Sequence, residues 1–189
     1  RIELLGEGGA AEVSWSPAGP ALEFEMGPGP ARVHGIAASV SGAGGALSGP
    51  GVLWDLPLAG SSLLRTAWAA TSKGALTVLV AVRPADAEEH GEEVVGAARM
   101  LPGAEPYGYA APLLSTEYDS AGRQQRGTLE LWPASDEIAA LHGAGSVVTG
   151  CTAKIGNSVV NTALFRWSLD GHLGLGRYEI TKPTLVAAA

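Results

Sequence analysis

Only one cysteine, Cys151, occurs in 189 residues. A single thiol cannot close an intrachain disulfide, and with four scattered histidines it cannot assemble a thiolate zinc site. Lysine is almost as scarce, three against nine arginines, and the basic residues form no run. With a net charge of −7, such a chain repels both a phosphate backbone and an anionic membrane surface. Nucleic acid is therefore excluded as an expected partner. No apolar run reaches the roughly 18 residues that a transmembrane helix needs, so membrane insertion is not expected either. Charged residues make up only 16% of the chain, and much of the surface must then be Gly, Ala, Ser and Thr. The phosphate-binding P-loop, the His-Glu-x-x-His metal motif and the Gly-x-Ser-x-Gly nucleophile elbow are all missing. Gly171–Gly176 has the glycines of a dinucleotide loop in the wrong order and no helix after it. No cofactor and no metal is expected. The single cysteine favours a cytoplasmic location, although the sequence starts at Arg1 rather than Met and is compatible with a removed leader.

Glycine and proline, in contrast, are abundant, at 27 and 12 residues, and they punctuate the chain at short intervals. Between the punctuation lie runs with alternating or continuous apolar character, the pattern of an all-β barrel or sandwich. About ten or eleven strands are expected: Glu12–Trp15, Ala21–Met26, Arg32–Ser41, Val52–Leu56, Ser62–Thr71, Leu76–Arg83, Pro112–Tyr118, Gln125–Trp132, Val147–Ile155, Val159–Leu169 and Leu175–Ile180. Tight turns are predicted at Ser72–Ala75, Asp119–Arg123 and Gly156-Asn157. Leu76–Val82 is apolar at every position but Thr77 and predicts a strand covered on both faces. Thr128–Trp132 alternates, with Leu129 and Leu131 on one face, as a barrel wall does. One or two short helices are expected, over Ala85–Met100 despite Gly91 and Gly96, and over Asp136–His142 after Ser135. The whole of residues 1–189 reads as one mostly antiparallel β domain, large enough to bury a core without staples.

The block Ala163–Ile180, with its strand, Asp-Gly turn and Gly-x-Gly-x-x-Glu ending, resembles the closing hairpin of the lipocalin-like family of AttH proteins and carotenoid 1,2-hydratases. Ser115–Trp132 is similar in style to that family's paired strands. The resemblance implies a lipocalin-like barrel with a cavity for a lipophilic small molecule, and a non-redox reaction such as cyclisation, isomerisation or hydration. The family's Trp-Gly-rich element has no counterpart beyond Leu53-Trp54-Asp55, so no catalytic residue is carried over.

Candidate chemistry rests on residue type and position. Asp55 stands between Trp54 and Leu56, where desolvation would suit a general acid. Glu117, two residues before Asp119 at a strand end, could work as one of a carboxylate pair, or sit on a solvated hairpin whose turn Asp119 shapes. His34 lies mid-strand and could act as a base. Trp54, Trp68, Tyr118, Trp132 and Trp167 could wall a cavity, or simply fill it. Arg65 and Arg166 could pair with an enolate or carboxylate. Cys151 reads as a small core residue.

Three functions fit these signals. The first is a cofactor-independent bacterial enzyme, a cyclase, isomerase or hydratase acting on a polyketide- or terpenoid-like substrate of secondary metabolism. The second is a ligand carrier or sensor with the same cavity. The third is a structural or interaction protein without one. A hydrophobic small molecule is the expected partner; edge strands of an incomplete barrel could pair two copies into a homodimer, and the oligomeric state stays open at this point.

Overall fold

The computed structural model describes residues 2–6, 9–42, 45–56, 59–88, 90–135 and 138–183. They form two antiparallel sheets. The smaller is built from β1 (Ile2–Gly6), β2 (Gly9–Pro17), β3 (Leu22–Glu25), β4 (Pro30–Gly42) and β5 (Gly45–Asp55). The larger holds β6 (Ser61–Thr71), β7 (Leu76–Pro84), β8 (Val94–Met100), β9 (Tyr107–Tyr109), β10 (Ala111–Tyr118), β11 (Gln124–Trp132), β12 (Leu141–Ile155), β13 (Ser158–Leu169) and β14 (His172–Pro183). Its order is β10-β11-β12-β13-β14-β6-β7-β8-β9.

This larger sheet curls into a nearly closed barrel. Its two edge strands, β9 and β10, are joined through Ala110, whose N–H donates to the Trp132 carbonyl of β11 at 2.9 Å, and β10 lies against β8. Alternation along each strand sends one set of side chains inward. Ala67, Leu79, Ala97, Leu114, Leu129, Phe165, Trp167, Tyr178 and Ile180 form one interior cluster drawn from strands all around the barrel.

The smaller sheet covers the outer face of β6–β8. There Val33, Phe24, Trp54 and Val52 pack on Leu64, Val78, Val80, Ala98 and Met100. Strand β7 is thus sandwiched: Leu79 and Ala81 face the lumen, while Leu76, Val78, Val80 and Val82 face the second sheet. This is the strand covered on both faces that its continuous apolar run predicted.

Three sequence expectations are corrected. Over Ala85–Met100 the structure has one 3-10 turn, His90–Glu92, followed by β8. Gly96 does not interrupt a helix: a Cβ there would lie 2.7 Å from the Phe24 ring, so glycine lets the two sheets approach. The proposed Asp136–His142 helix has no counterpart over 138–142, since Leu141 opens β12; Asp136 and Glu137 lie outside the described residues. The strand expected over Val52–Leu56 begins earlier, at Gly45, and β5 pairs with β4 from Gly42↔Gly45 to Arg32↔Asp55.

Candidate functional site

The inward series of several strands end in polar residues at one mouth of the barrel. On β6, Arg65 continues the inward positions of Ala69 and Ala67. On β7, Arg83 follows Leu79 and Ala81, and on β10 Thr116 follows Leu114. Tyr178 precedes Ile180 on β14, and Glu93 stands just ahead of β8. Antiparallel register brings these ends together.

Glu93 bridges two guanidiniums. Its Oε2 pairs with Nη2 of Arg65, and its Oε1 accepts from Nη2 of Arg83 at 2.7 Å. Arg65 also donates from Nη1 to the Leu114 carbonyl and to Thr116 Oγ1, each at 3.4 Å. The Thr116 hydroxyl and the Tyr178 phenol share a 2.7 Å hydrogen bond. The Arg65 and Glu93 side chains are only 10% and 9% exposed. The two guanidiniums share the one Glu93 carboxylate. Burial works against the Arg65 charge, but the neighbouring Tyr178 and Glu93 oxygens outweigh it and raise its pKa. Burial pushes the Tyr178 phenol up, against the opposing pull of Arg65 and the Thr116 hydrogen bond, so the phenol keeps its proton. The Arg65 Nε has no hydrogen-bond partner among the described residues.

This cluster faces a cleft of about 700 Å³ whose other walls include Leu63, Leu114, Tyr118, Ile180 and Lys182. Below it the lumen is full. Trp167 is 1% exposed and its ring lies over Gly145 and Gly127. The space between it, Leu129 and Thr77 is about 10 Å³, barely one water probe. The barrel is therefore an open cup rather than a through-channel.

The sequence candidates distribute as follows. Arg65 and Tyr118 lie in the cup. Trp68 and Arg166 come together elsewhere, in a groove outside the barrel. Trp167 fills the lumen, Trp54 is half-buried between the sheets, and Trp132 is exposed, edge-on to His142 at 5.4 Å. His34 and Asp55 share the outer face of the smaller sheet, across the β4–β5 register. Glu117 is exposed on β10, 3.9 Å from Arg126. The structure does not bring Asp55, Glu117 and His34 together: Glu117 belongs to the other sheet. Asp119 shapes its turn by accepting from the Ala121 and Arg123 N–H groups at 2.9 and 2.8 Å, and the Arg123 backbone bond foremost draws its pKa down. Cys151 is exposed rather than in the core, because β12 runs past the barrel rim beyond its bulge at Val148. Sequence reasoning missed Glu93, Arg83 and Thr116. The signal was available for Arg83, which extends the Leu79-Ala81 alternation by one step. It was hidden for Glu93 by the helical reading of its segment.

Among the described residues no group of His, Cys, Asp and Glu is placed to hold a metal, and no helix is long and apolar enough to cross a membrane. No protein-family model matches the chain, and no curated protein matches it. Solved structures do. A "putative AttH" of Nitrosomonas europaea superposes with a TM-score of 0.61 at 10% identity, covering 97% of this chain and 64% of that one. Kievitone hydratase of Nectria haematococca superposes with a TM-score of 0.58 at 13% identity, covering 93% and 61%. The chain thus spans less than two thirds of the length of either. The likeness agrees with the resemblance in Ala163–Ile180, whose strands are β13 and β14, and the chain has the lipocalin-like all-β fold of these proteins.

Proposed function

We propose that the cup binds a lipophilic small molecule and carries out a non-redox step of the hydration or dehydration class on it. The observation that supports this most is the buried Arg65–Glu93–Arg83 cluster, with the Thr116 hydroxyl beside it, in a cleft whose other walls include Leu63, Leu114 and Ile180. Apolar walls with a few convergent polar groups are the make-up of a small-molecule site. In such a reaction water adds its oxygen to one carbon of an activated double bond, and a proton goes to the other. No electrons are exchanged with a cofactor. When the double bond is conjugated to a carbonyl, negative charge gathers on that oxygen, and a fixed guanidinium stabilises it. Arg65, which lines the cleft, has the charge for this role, and the buried Tyr178 phenol holds the Thr116 hydroxyl of the lining in place. A hydratase among the structural neighbours is consistent with this class of chemistry.

The test uses an anionic naphthalene fluorescent probe and an α,β-unsaturated ketone series. Wild-type protein is expected to bind the probe, and Arg65→Met to bind it about tenfold more weakly, the loss of one charge-assisted contact. Leu63→Trp, which blocks the cleft, should abolish binding. Hydration of a ketone in the series whose turnover at saturating substrate falls in Arg65→Met supports the enzyme; binding without turnover identifies a carrier. No binding by wild-type protein, or binding that neither Arg65→Met nor Leu63→Trp changes, would remove the cup as the site.

A further inference from the structure

A second cavity lies between the sheets, remote in composition from the cup. It has a volume of about 340 Å³ and no charged residue in its lining, which includes Ala18, Pro20, Ile36, Leu76, Met100 and Leu101. Gly35 keeps it open: a Cβ there would stand 2.9 Å from the Met100 sulfur. Next to it, on the outer face of β6 and β14, runs a groove of about 620 Å³ lined by Trp68, Ala70, Leu175 and Arg166. The two spaces are neighbours. Ala70 of the groove is the register partner of Leu76 of the slot, and Pro50 of the β5 edge lines both.

The chemistry changes along this path. At the slot end everything is apolar. At the groove end Leu173 and Leu175 are 67% and 54% exposed, and Arg166 stands beside them as Leu175's partner across the β13–β14 ladder. Arg166 is exposed and makes no ion pair among the described residues, whereas Arg32, Arg65, Arg83, Arg123 and Arg177 each pair with a carboxylate. A free guanidinium at one end and a narrow apolar slot at the other match a molecule with an anionic head and an unbranched hydrocarbon tail.

We propose that slot and groove together form a binding site for a fatty carboxylate, with the acyl chain between the sheets under Pro50 and the carboxylate on Arg166. This site is separate from the cup.

Titration calorimetry with dodecanoate, and with dodecanol as the uncharged twin, tests it. Wild-type protein should bind both. Arg166→Ala, at an exposed position, should weaken dodecanoate roughly tenfold and leave dodecanol unchanged. Ala70→Leu, which narrows the junction, should weaken both, and thermal melts would confirm that each variant is folded. The fluorescent probe bound in the cup should stay bound when dodecanoate is added. Dodecanoate affinity unchanged in both variants would overturn the site, as would displacement of the cup probe by dodecanoate.

Discussion

Trp167 decides what kind of barrel this is. Its indole lies across the lumen because the facing strands carry no side chain there: Gly145 is its register partner on β12, and Gly127 is the partner of Gly145 on β11. A Cβ built on Gly145 would lie 2.5 Å from the Trp167 ring, and the ring is wedged beside Phe165 at 5.3 Å with no room to retreat. Gly145→Ala should therefore act as an overpacking change and cost about 1–3 kcal/mol in urea unfolding, although Ala is the better strand residue on entropy alone. An unchanged midpoint would mean that the indole can move. In the sequence, Trp167 read equally as cavity wall and as filler, because alternation gives the face of a residue but not the size of what opposes it. Arg65, Tyr118, Trp68 and Arg166 stood out in the sequence as candidates by residue type and strand position, but not as neighbours, since the meeting of Trp68 and Arg166 depends on the β13–β14–β6 order. Glu93 was not legible, because its partners come from β6 and β7 and nothing local marks it.

At the scale of elements, hairpins carry the fold, and turn chemistry made most of them readable. The β13–β14 hairpin turns on Asp170 and Gly171, with φ of 48° and 78°. Two successive left-handed residues match the twist of the flanking strands, which is why Asp-Gly serves here. Asp170 adds a tie to its neighbour: its Oδ1 accepts from the His142 N–H at 2.9 Å, and its own N–H donates to the His142 carbonyl. A Cβ on Gly171 meets nothing within 4 Å, so a substitution there tests conformation alone. Gly171→Val should cost about 1–2 kcal/mol, the penalty for a β-branched residue in the left-handed region, measured as a lower melting temperature. A variant as stable as wild type would show that the turn can adopt another shape. Where turns were marked by Asp, Asn or Gly at a positive φ, the strand ends were legible, as at Gly74, Gly122 and Gly156. Strands β1, β8 and β9 were not. Gly96 looked like a helix breaker because its reason, the Phe24 ring of another sheet, is distant in sequence.

For the whole molecule, the lumen is packed from strands all around the barrel up to the residues of the cup, and proton binding reports on that packing. Tyr178 has no exposed surface, packs edge-on to Phe165 at 5.4 Å and bonds to Thr116. Burial raises its pKa, and burial also raises that of Tyr109 at the other end of the lumen. In the unfolded chain both phenols ionise near pH 10. Below that pH they are neutral in both states, and their contribution is fully present. Above it the unfolded chain releases protons that the folded barrel retains, so stability falls as pH rises toward the folded pKa values. Tyr178→Phe is expected to be less stable at pH 7 by about 1 kcal/mol, from the lost Thr116 hydrogen bond. Its stability should then fall less steeply than that of wild type above about pH 10, since one of the two phenols no longer contributes. Urea unfolding of both proteins at neutral and alkaline pH measures the two slopes. Parallel slopes would place the Tyr178 hydroxyl in contact with solvent and require the cup to open deeper than Thr116.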